Sequence, residues 1–585
     1  MQFQTAALRP CSMLIWLVLG LAGMMLLHGA PARAQGVGLA DPFNNAQIET
    51  VSIRLANPGP DAGLNDRITD SVRRALSFFP GTLFSQDRAA FAIGRALRNP
   101  DVADITYDLG FGRAGGLDVQ VTVTLATAGQ TGTGRGYAIT GNPKDFPLIY
   151  DRNGTVLRFK LDALGLYYAN RNAWYGDPQA MLAGNPLVQG NPAGKAYEGW
   201  VEGLVTLGIS GITPVTESLY AYGAFSMMTT GSKGQELFTD LTRSYTAVED
   251  AYIGVVGGRT SASGNRLAFN LSAGRQRFTL ANALLIANTA ANGQERAALQ
   301  ANARWASDLL ALGQVSYNTT KLEVFYVDPD ELPVIDTDTR IGGINIETTP
   351  TPGLMLAGSY LSSPQSGFSY FGPTGSVIGT RQGLRTVDLR FTWEAPGNVP
   401  GPFFGGEIAR QTNRNFSMDA RAAYVEAGYT FADAAWTPSV GYRLSYFSGD
   451  DPATTTYERW DPLLSGGNGE QWVQGSNHFK VVQDSNVIAH RLQARMRPSP
   501  KIEIVPQLWA FYADSLNNIG GNPALTFLGD SEYGYEANVT LKWFASRNLY
   551  VHGMVAYTVP GEAVDLALKD PRDWFSLMFF LRYAF

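Results

Sequence analysis

The chain has 585 residues, a formal charge of −6 and charged residues at only 16%, with 64 Gly, 30 Phe, 26 Tyr and 11 Trp. Mild acidity and the lack of any basic stripe speak against nucleic acid as a partner. No apolar run after residue 35 is long enough for a transmembrane helix, so a membrane location requires a closed barrel, the other structure that pairs its backbone in lipid.

In chain order, Arg9 precedes an apolar run from Met13 to Leu27, then Ala32-Arg33-Ala34 before Gln35. This predicts a secretory signal peptide over residues 1–34. No cysteine sits at the cleavage point, which disfavours a lipoprotein, and the single cysteine, Cys11, falls in the removed part. The mature chain is therefore expected to lack thiols, disulfides and cysteine metal sites.

Residues 35–125 read as a small α+β domain. Ile48–Leu55 alternates as a strand, and Leu64, Ile68, Val72, Ala75, Leu76 and Phe79 recur at helical spacing up to Pro80-Gly81. Ser85 is placed to cap a second helix carrying Ala89, Ala90, Ile93 and Leu97, which Asn99-Pro100 stops. Strands Ile105–Phe111 and Leu117–Leu125 complete a β-α-α-β-β order. The segment Phe79–Ser85 and the closing Asp118-Val-Gln-Val-Thr-Val123 resemble a POTRA domain, which implies a periplasmic module able to dock a periplasmic partner. Residues 126–154, rich in Gly, Thr and Pro, read as a linker.

Residues 155–585 repeat one theme: a strand of roughly ten residues, a turn, a second strand and a long loop. Short connections such as Thr213–Thr216, Asn318–Thr320 and Pro498–Pro500 alternate with long ones such as 279–307, 329–338 and 449–485, the exception being Asn413–Asn415. The fold class expected is thus an all-β transmembrane antiparallel barrel of about eighteen strands, preceded by the small α+β domain, with short periplasmic turns and long surface loops. The chain ends on Trp574–Phe585, in which Phe575, Leu577, Phe579, Leu581, Tyr583 and Phe585 form one apolar face. A terminal aromatic on such a strand resembles the signal read by the outer-membrane barrel assembly machinery, and its apolar face fits outer-membrane lipid.

Strand parity sorts side chains into wall and lumen. Arg158, Lys160 and Asp162 are expected to face inward, as are Arg266, Asp388, Arg390, Arg443, Arg491, Arg495, Arg497, Glu503, Glu536, Lys542 and Arg582. Arginine forks carboxylates in two-point contacts, and rings of arginine favour anions. The strands near 204 and 425 do not alternate cleanly and receive no assignment. The loop Asp328–Asp338 crowds carboxylates and reads as a solvated acidic loop rather than a cation site. No H-E-x-x-H, G-x-S-x-G or Walker pattern occurs, so the chain reads as a non-enzyme with no cofactor and no metal.

Asn265–Phe278, closing on Gly274-Arg275-Gln276, is similar to a strand of the alginate export family. So are Met418–Phe431 and Arg459-Trp-Asp-Pro-Leu-Leu464, the last opening a Gly-rich loop with Trp472. This resemblance covers the barrel but not the first 150 residues, and a POTRA-like domain departs from the type member. It implies an outer-membrane pore passing an anionic polysaccharide through an arginine-rich lumen. The alternatives are a POTRA-containing protein-secretion transporter of the two-partner or Omp85 type, and a closed surface-binding barrel.

Overall fold

The computed structural model describes residues 41–585 except 45, 77–79, 81, 98, 113–114, 127–135, 138–146, 153, 175–196, 235–241, 395–400, 466–474, 523–524, 527 and 569–570. The signal peptide and Trp472 lie outside the described residues.

The N-terminal domain runs β1 (Ile48–Leu55), α1 (Ala62–Ala75), α2 (Gln86–Ala96), β2 (Val102–Phe111) and β3 (Leu117–Leu125). Its sheet has the order β1-β3-β2, with β1 parallel and β2 antiparallel to β3. Val119, Val121 and Val123 bury one face of β3 against Ile68 and Val72 of α1 and Ala89 and Ala92 of α2. Asp61 caps α1, accepting a hydrogen bond from the Leu64 amide at 3.2 Å. Helix α1 stops at Ala75, earlier than the Pro80-Gly81 signal suggests, because Leu76 turns to an extended conformation and buries its side chain in the core. Ser85 holds the position before α2, but its side chain makes no capping bond.

After β4 (Leu148–Arg152) come eighteen barrel strands. They are β5 (Thr155–Arg171), β6 (Glu198–Pro214), β7 (Leu219–Gly234), β8 (Arg243–Thr260), β9 (Arg266–Arg275), β10 (Leu309–Tyr317), β11 (Thr320–Asp328), β12 (Arg340–Thr351) and β13 (Leu354–Gln365). Then follow β14 (Leu384–Glu394), β15 (Pro402–Asn413), β16 (Ala420–Thr430), β17 (Ser439–Phe447), β18 (Val487–Ser499), β19 (Ile502–Tyr512), β20 (Glu532–Phe544), β21 (Leu549–Pro560) and β22 (Trp574–Ala584). Each pairs antiparallel with its sequence neighbour, and β22 pairs with β5 to close the ring. On strands such as β14, exposed apolar side chains alternate with buried polar ones: Val387, Leu389 and Phe391 point out, while Asp388 and Arg390 point in. The last strand repeats the pattern, with Phe575, Leu577, Phe579 and Leu581 outside and Ser576, Phe580 and Arg582 inside. An outer wall of this kind suits lipid, and an even strand count puts both ends of the barrel on its short-turn side.

The seam carries a feature that composition hides. Strand β5 extends beyond β22, and β4, from residues expected to be linker, pairs with that overhang from Leu148 to Arg152. A bare strand edge leaves amides and carbonyls without partners, so the overhang recruits its own cover. At the junction, the Phe585 amide donates to the Leu161 carbonyl at 3.0 Å and the Leu161 amide to the Phe585 carbonyl at 3.1 Å.

The domain docks into the short-turn end of the barrel. Phe43 and Phe111 pack on Phe544, the Phe111 amide donates to the Pro500 carbonyl, and Phe91 packs on Tyr222. Gly115, at φ +94°, lies so close to the Arg495 guanidinium that a Cβ there would stand 2.1 Å from it. The backbone conformation requires glycine, and a Cβ would also push the Arg495 guanidinium aside.

Deleting Phe585 removes both hydrogen bonds at the seam, a loss of about 1–3 kcal/mol at the last step of closure. The fraction of unboiled protein running as a compact species in SDS gels is expected to fall. Normal membrane insertion and an unchanged compact fraction would contradict this account of the seam.

Candidate functional site

The lumen is the candidate site, and its chemistry is set by which strand residues alternate inward. The structure divides the parity-assigned residues among separate clusters. Arg582 reaches Asp162 and, at 2.6 Å, Asp41 of the domain. Lys160 sits between Asp250 of β8 at 3.0 Å and Asp87 of α2 at 2.6 Å, and Arg158 lies two residues before it on β5. Arg390 contacts Asp388 at 2.9 Å and Glu347 at 3.1 Å. Glu503 receives Arg495 at 3.1 Å and Lys542 at 2.9 Å. Arg497 donates its backbone amide to the Trp436 carbonyl, while Arg266, at the start of β9, donates from its side chain to the Arg74 carbonyl of α1.

Arg443 and Arg491 form a different arrangement. They stand directly opposite each other in the β17–β18 register and are both buried. Their guanidiniums lie 5.9 Å and 5.8 Å from the centre of the Trp509 ring, and Arg491 contacts Glu426 at 2.8 Å.

Two long connections expected at the surface fold into the lumen instead. In the segment 276–308 most residues from Phe278 to Ser307 are buried, among them Leu284, Ile286 and Trp305. It is held by wall carboxylates that accept its backbone amides. Glu202 takes Gln300 and Ala301, and Glu249 takes Trp305 and Ala306. Asn282 near its tip donates to Glu407 of β15 at 2.5 Å. The segment 475–486 enters alongside: Glu536 accepts the amides of Ser476, Asn477 and His478 at 2.5, 2.9 and 3.1 Å, and His478 stacks on Phe511. Leu464 of this second connection bridges to Ile286 of the first.

Parity reasoning missed Glu202 and Glu426 because β6 and β16 carry apolar residues on both faces: Trp200, Leu204 and Ile212 point inward on β6 while Val201, Val205 and Leu207 point outward. A usable signal for the inward loop was present. Residues 279–307 are dominated by Ala, Leu, Asn and Thr, with few charges, a composition unsuited to a solvated surface loop. In the acidic loop Asp336 and Asp338 are exposed, but one carboxylate departs from the solvated reading. Asp330 is buried, not solvated, with Arg296 at 2.7 Å, Arg304 at 2.9 Å and Arg275 also in contact. It fastens the inward segment to the end of β11, because three guanidiniums converge on one buried carboxylate.

Beneath the inward segment a cavity of about 680 Å³ lies between the domain and the wall, lined by Asp87, Lys160, Asp250, Lys321, Arg390 and Tyr424 among others. Asp41 sits beside it, fully buried, between Arg582 and Arg277, which it contacts at 2.6 and 2.8 Å. Burial alone would raise the Asp41 carboxyl, but the two guanidiniums and the Phe43 amide outweigh it and hold the group below the ordinary aspartate range.

A family model, Alginate export, matches residues 224–570, more than half of the chain. Among curated proteins none matches. Similar solved structures include Pseudomonas aeruginosa OccK5 (OpdH), at 10% identity and TM-score 0.43, covering 73% of this chain and 97% of that one. Acinetobacter baumannii OccAB2 stands at 11% identity and TM-score 0.41, covering 73% and 98%. Pseudomonas putida OprB, in its high-pH structure, stands at 10% and 0.37, covering 73% and 94%.

Replacing Glu536 with Gln removes the charge that gathers three amides and is expected to loosen the 475–486 segment by about 1–3 kcal/mol. Single-channel recordings should show larger and noisier current steps than wild type, with the compact gel species retained. Identical current traces would mean that the segment is held by packing alone.

Proposed function

The chain belongs to the alginate export family, and on that premise we propose that this outer-membrane channel passes an anionic exopolysaccharide of the alginate type, with its short-turn end and its N-terminal domain in the periplasm. It is a transport channel rather than an enzyme. The observation that carries the solute assignment is the Arg443–Arg491 pair over Trp509. Like charges directly opposed across strands destabilise a sheet, and Glu426, facing Arg443 across β16–β17 and bonded to Arg491, sets one carboxylate against the two guanidiniums. A uronate presents both a planar carboxylate, which a guanidinium binds with two parallel hydrogen bonds, and a sugar ring whose C–H face suits an indole. Two guanidiniums and one indole on the same patch of wall supply both halves of that recognition, and because all three are buried, a solute reaches them only when the inward segments shift.

The rest of the lumen supports a path rather than a trap. Carboxylates alternate with cations, as in Asp388–Arg390–Glu347 and Arg495–Glu503–Lys542, so a polyanion meets local attraction without one continuous positive field. Conduction requires binding weak enough at each site for release to the next. The short turns lie at the end that holds the domain, which in outer-membrane barrels is the periplasmic end, and a polymer made inside the cell would enter there.

Reconstituted in planar bilayers at low salt, the channel is expected to prefer anions, and polymannuronate should reduce its current. Arg443→Gln with Arg491→Gln should weaken that block roughly tenfold or more, the scale of a lost charged hydrogen-bond pair. Cation selectivity together with indifference to polymannuronate would overturn the solute assignment, and a wild-type barrel with no current at all would favour the closed surface-binding alternative.

A further inference from the structure

We propose that the N-terminal domain is a resident stopper of this channel, latched by Asp41 and Asp87 onto three lumen cations, and that an anionic solute releases it by competing for those cations. The inference rests on the channel reading above and adds its regulation.

Two observations combine. The first is position. Around the short-turn mouth, the domain touches β5 through Val156 and Lys160, β7 through Tyr220 and Tyr222, β9 through Arg266, the β18–β19 turn through Pro500 and Lys501, β20 through Phe544, and β22 through Arg582 and Ala584. About half of the ring is therefore covered. The remaining crescent opens into the 680 Å³ cavity, which the inward segment 276–308 roofs through Ala281 and Asn282. A polymer strand entering from this end meets the domain first and the roof second.

The second is charge. Asp41 is shared between Arg582 of the last strand and Arg277 at the root of the roof segment, and Asp87 holds Lys160. When the domain leaves, both carboxylates leave with it. Lys160 keeps Asp250 and Arg582 keeps Asp162, so the wall stays assembled while its balance shifts by two positive charges. The closed state is the one in which the domain's acids occupy the cations, and the displaced state is the one in which a solute carboxylate does. A ligand that binds only the displaced state shifts the equilibrium by its full binding free energy there, so solute and stopper exclude each other. Because Arg277 roots the roof segment, releasing Asp41 also removes one tether beneath the second barrier.

Position 94 offers a reversible lock. A Cβ built on Gly94 of α2 would stand 3.5 Å from the Cβ of Val156 on β5, within the roughly 3.5–4.5 Å that a disulfide spans. In a Cys11→Ser background, Gly94→Cys with Val156→Cys in the full chain gives a domain that cannot leave while oxidised, with bond formation checked by gel shift and barrel integrity by unboiled SDS mobility. Oxidised protein is expected to stay closed with or without polymannuronate, whereas in reduced protein polymannuronate should raise the fraction of time open while lowering the current of each open step. In a separate variant, Asp41→Asn with Asp87→Asn should raise the open fraction several-fold without solute. A locked channel that conducts and responds as the reduced one does, or an Asn variant no more open than wild type, overturns the stopper. Absence of current in every state, reduced and Asn variants included, overturns the channel reading and the stopper with it. Current and stopper behaviour with no rise in open fraction on adding polymannuronate overturns release by an anionic solute while leaving the channel intact.

Discussion

Closure of the backbone ladder governs this molecule. In hydrocarbon no water substitutes for a missing hydrogen bond, so eighteen strands must end by pairing the last with the first. From that single demand follow the alternation of lipid-facing and lumen-facing side chains, the recruitment of Leu148–Arg152 to cover the overhang of β5, and the terminal pair between Phe585 and Leu161. The ring also creates an interior too wide for strand side chains to fill by themselves, and everything placed inside it has to be held there by chemistry rather than by the ladder.

That chemistry is dominated by carboxylates acting on backbone amides and guanidiniums. Glu202, Glu249 and Glu536 gather amides of inward segments in pairs or triplets, and Asp330 gathers three arginines. A buried carboxylate is stable only when several donors converge on it, so each anchor fixes the segment that supplies the donors. The same logic joins the domain to the wall through Asp41 and Asp87. At the Arg443–Arg491 pair one carboxylate, Glu426, serves two cations, and both guanidiniums also lie near the Trp509 ring. A lumen organised this way is adapted to exchange one set of carboxylates for another.

Much of the barrel was legible in the sequence, since period-two alternation is set by the lipid and is local. Phe575 to Phe585 gave the orientation of the last strand, and along Val387–Trp393 the alternation leaves Asp388 and Arg390 buried between exposed apolar residues. The β-α-α-β-β order of the domain was equally local, being written in helical and alternating spacings. What spacing could not convey is partnership across long distances. Nothing near Asp41 in the sequence points to Arg582, and nothing near Glu202 points to Gln300. For the same reason the arginines read as an open positive lining, whereas most of them meet acids contributed by other strands, by an inward loop or by the domain. Strands β6 and β16 escaped because aromatic and aliphatic residues line both their faces, so that parity carried no signal.

The seam between β22 and β5 also sets a schedule. Asp162 and Arg582 are 420 residues apart in the chain, and a ribosome adding about 5–20 residues per second needs roughly 20–80 s to span that interval. Throughout it the upper part of β5, from Ala163 to Arg171, has no partner from β22, although β4 can already cover the lower overhang. A half-built ring with an open strand edge invites pairing with other chains. The edge of β5 is therefore left open for at least as long as the rest of the chain takes to be made, an interval set by connectivity rather than by the strength of any contact in the finished barrel.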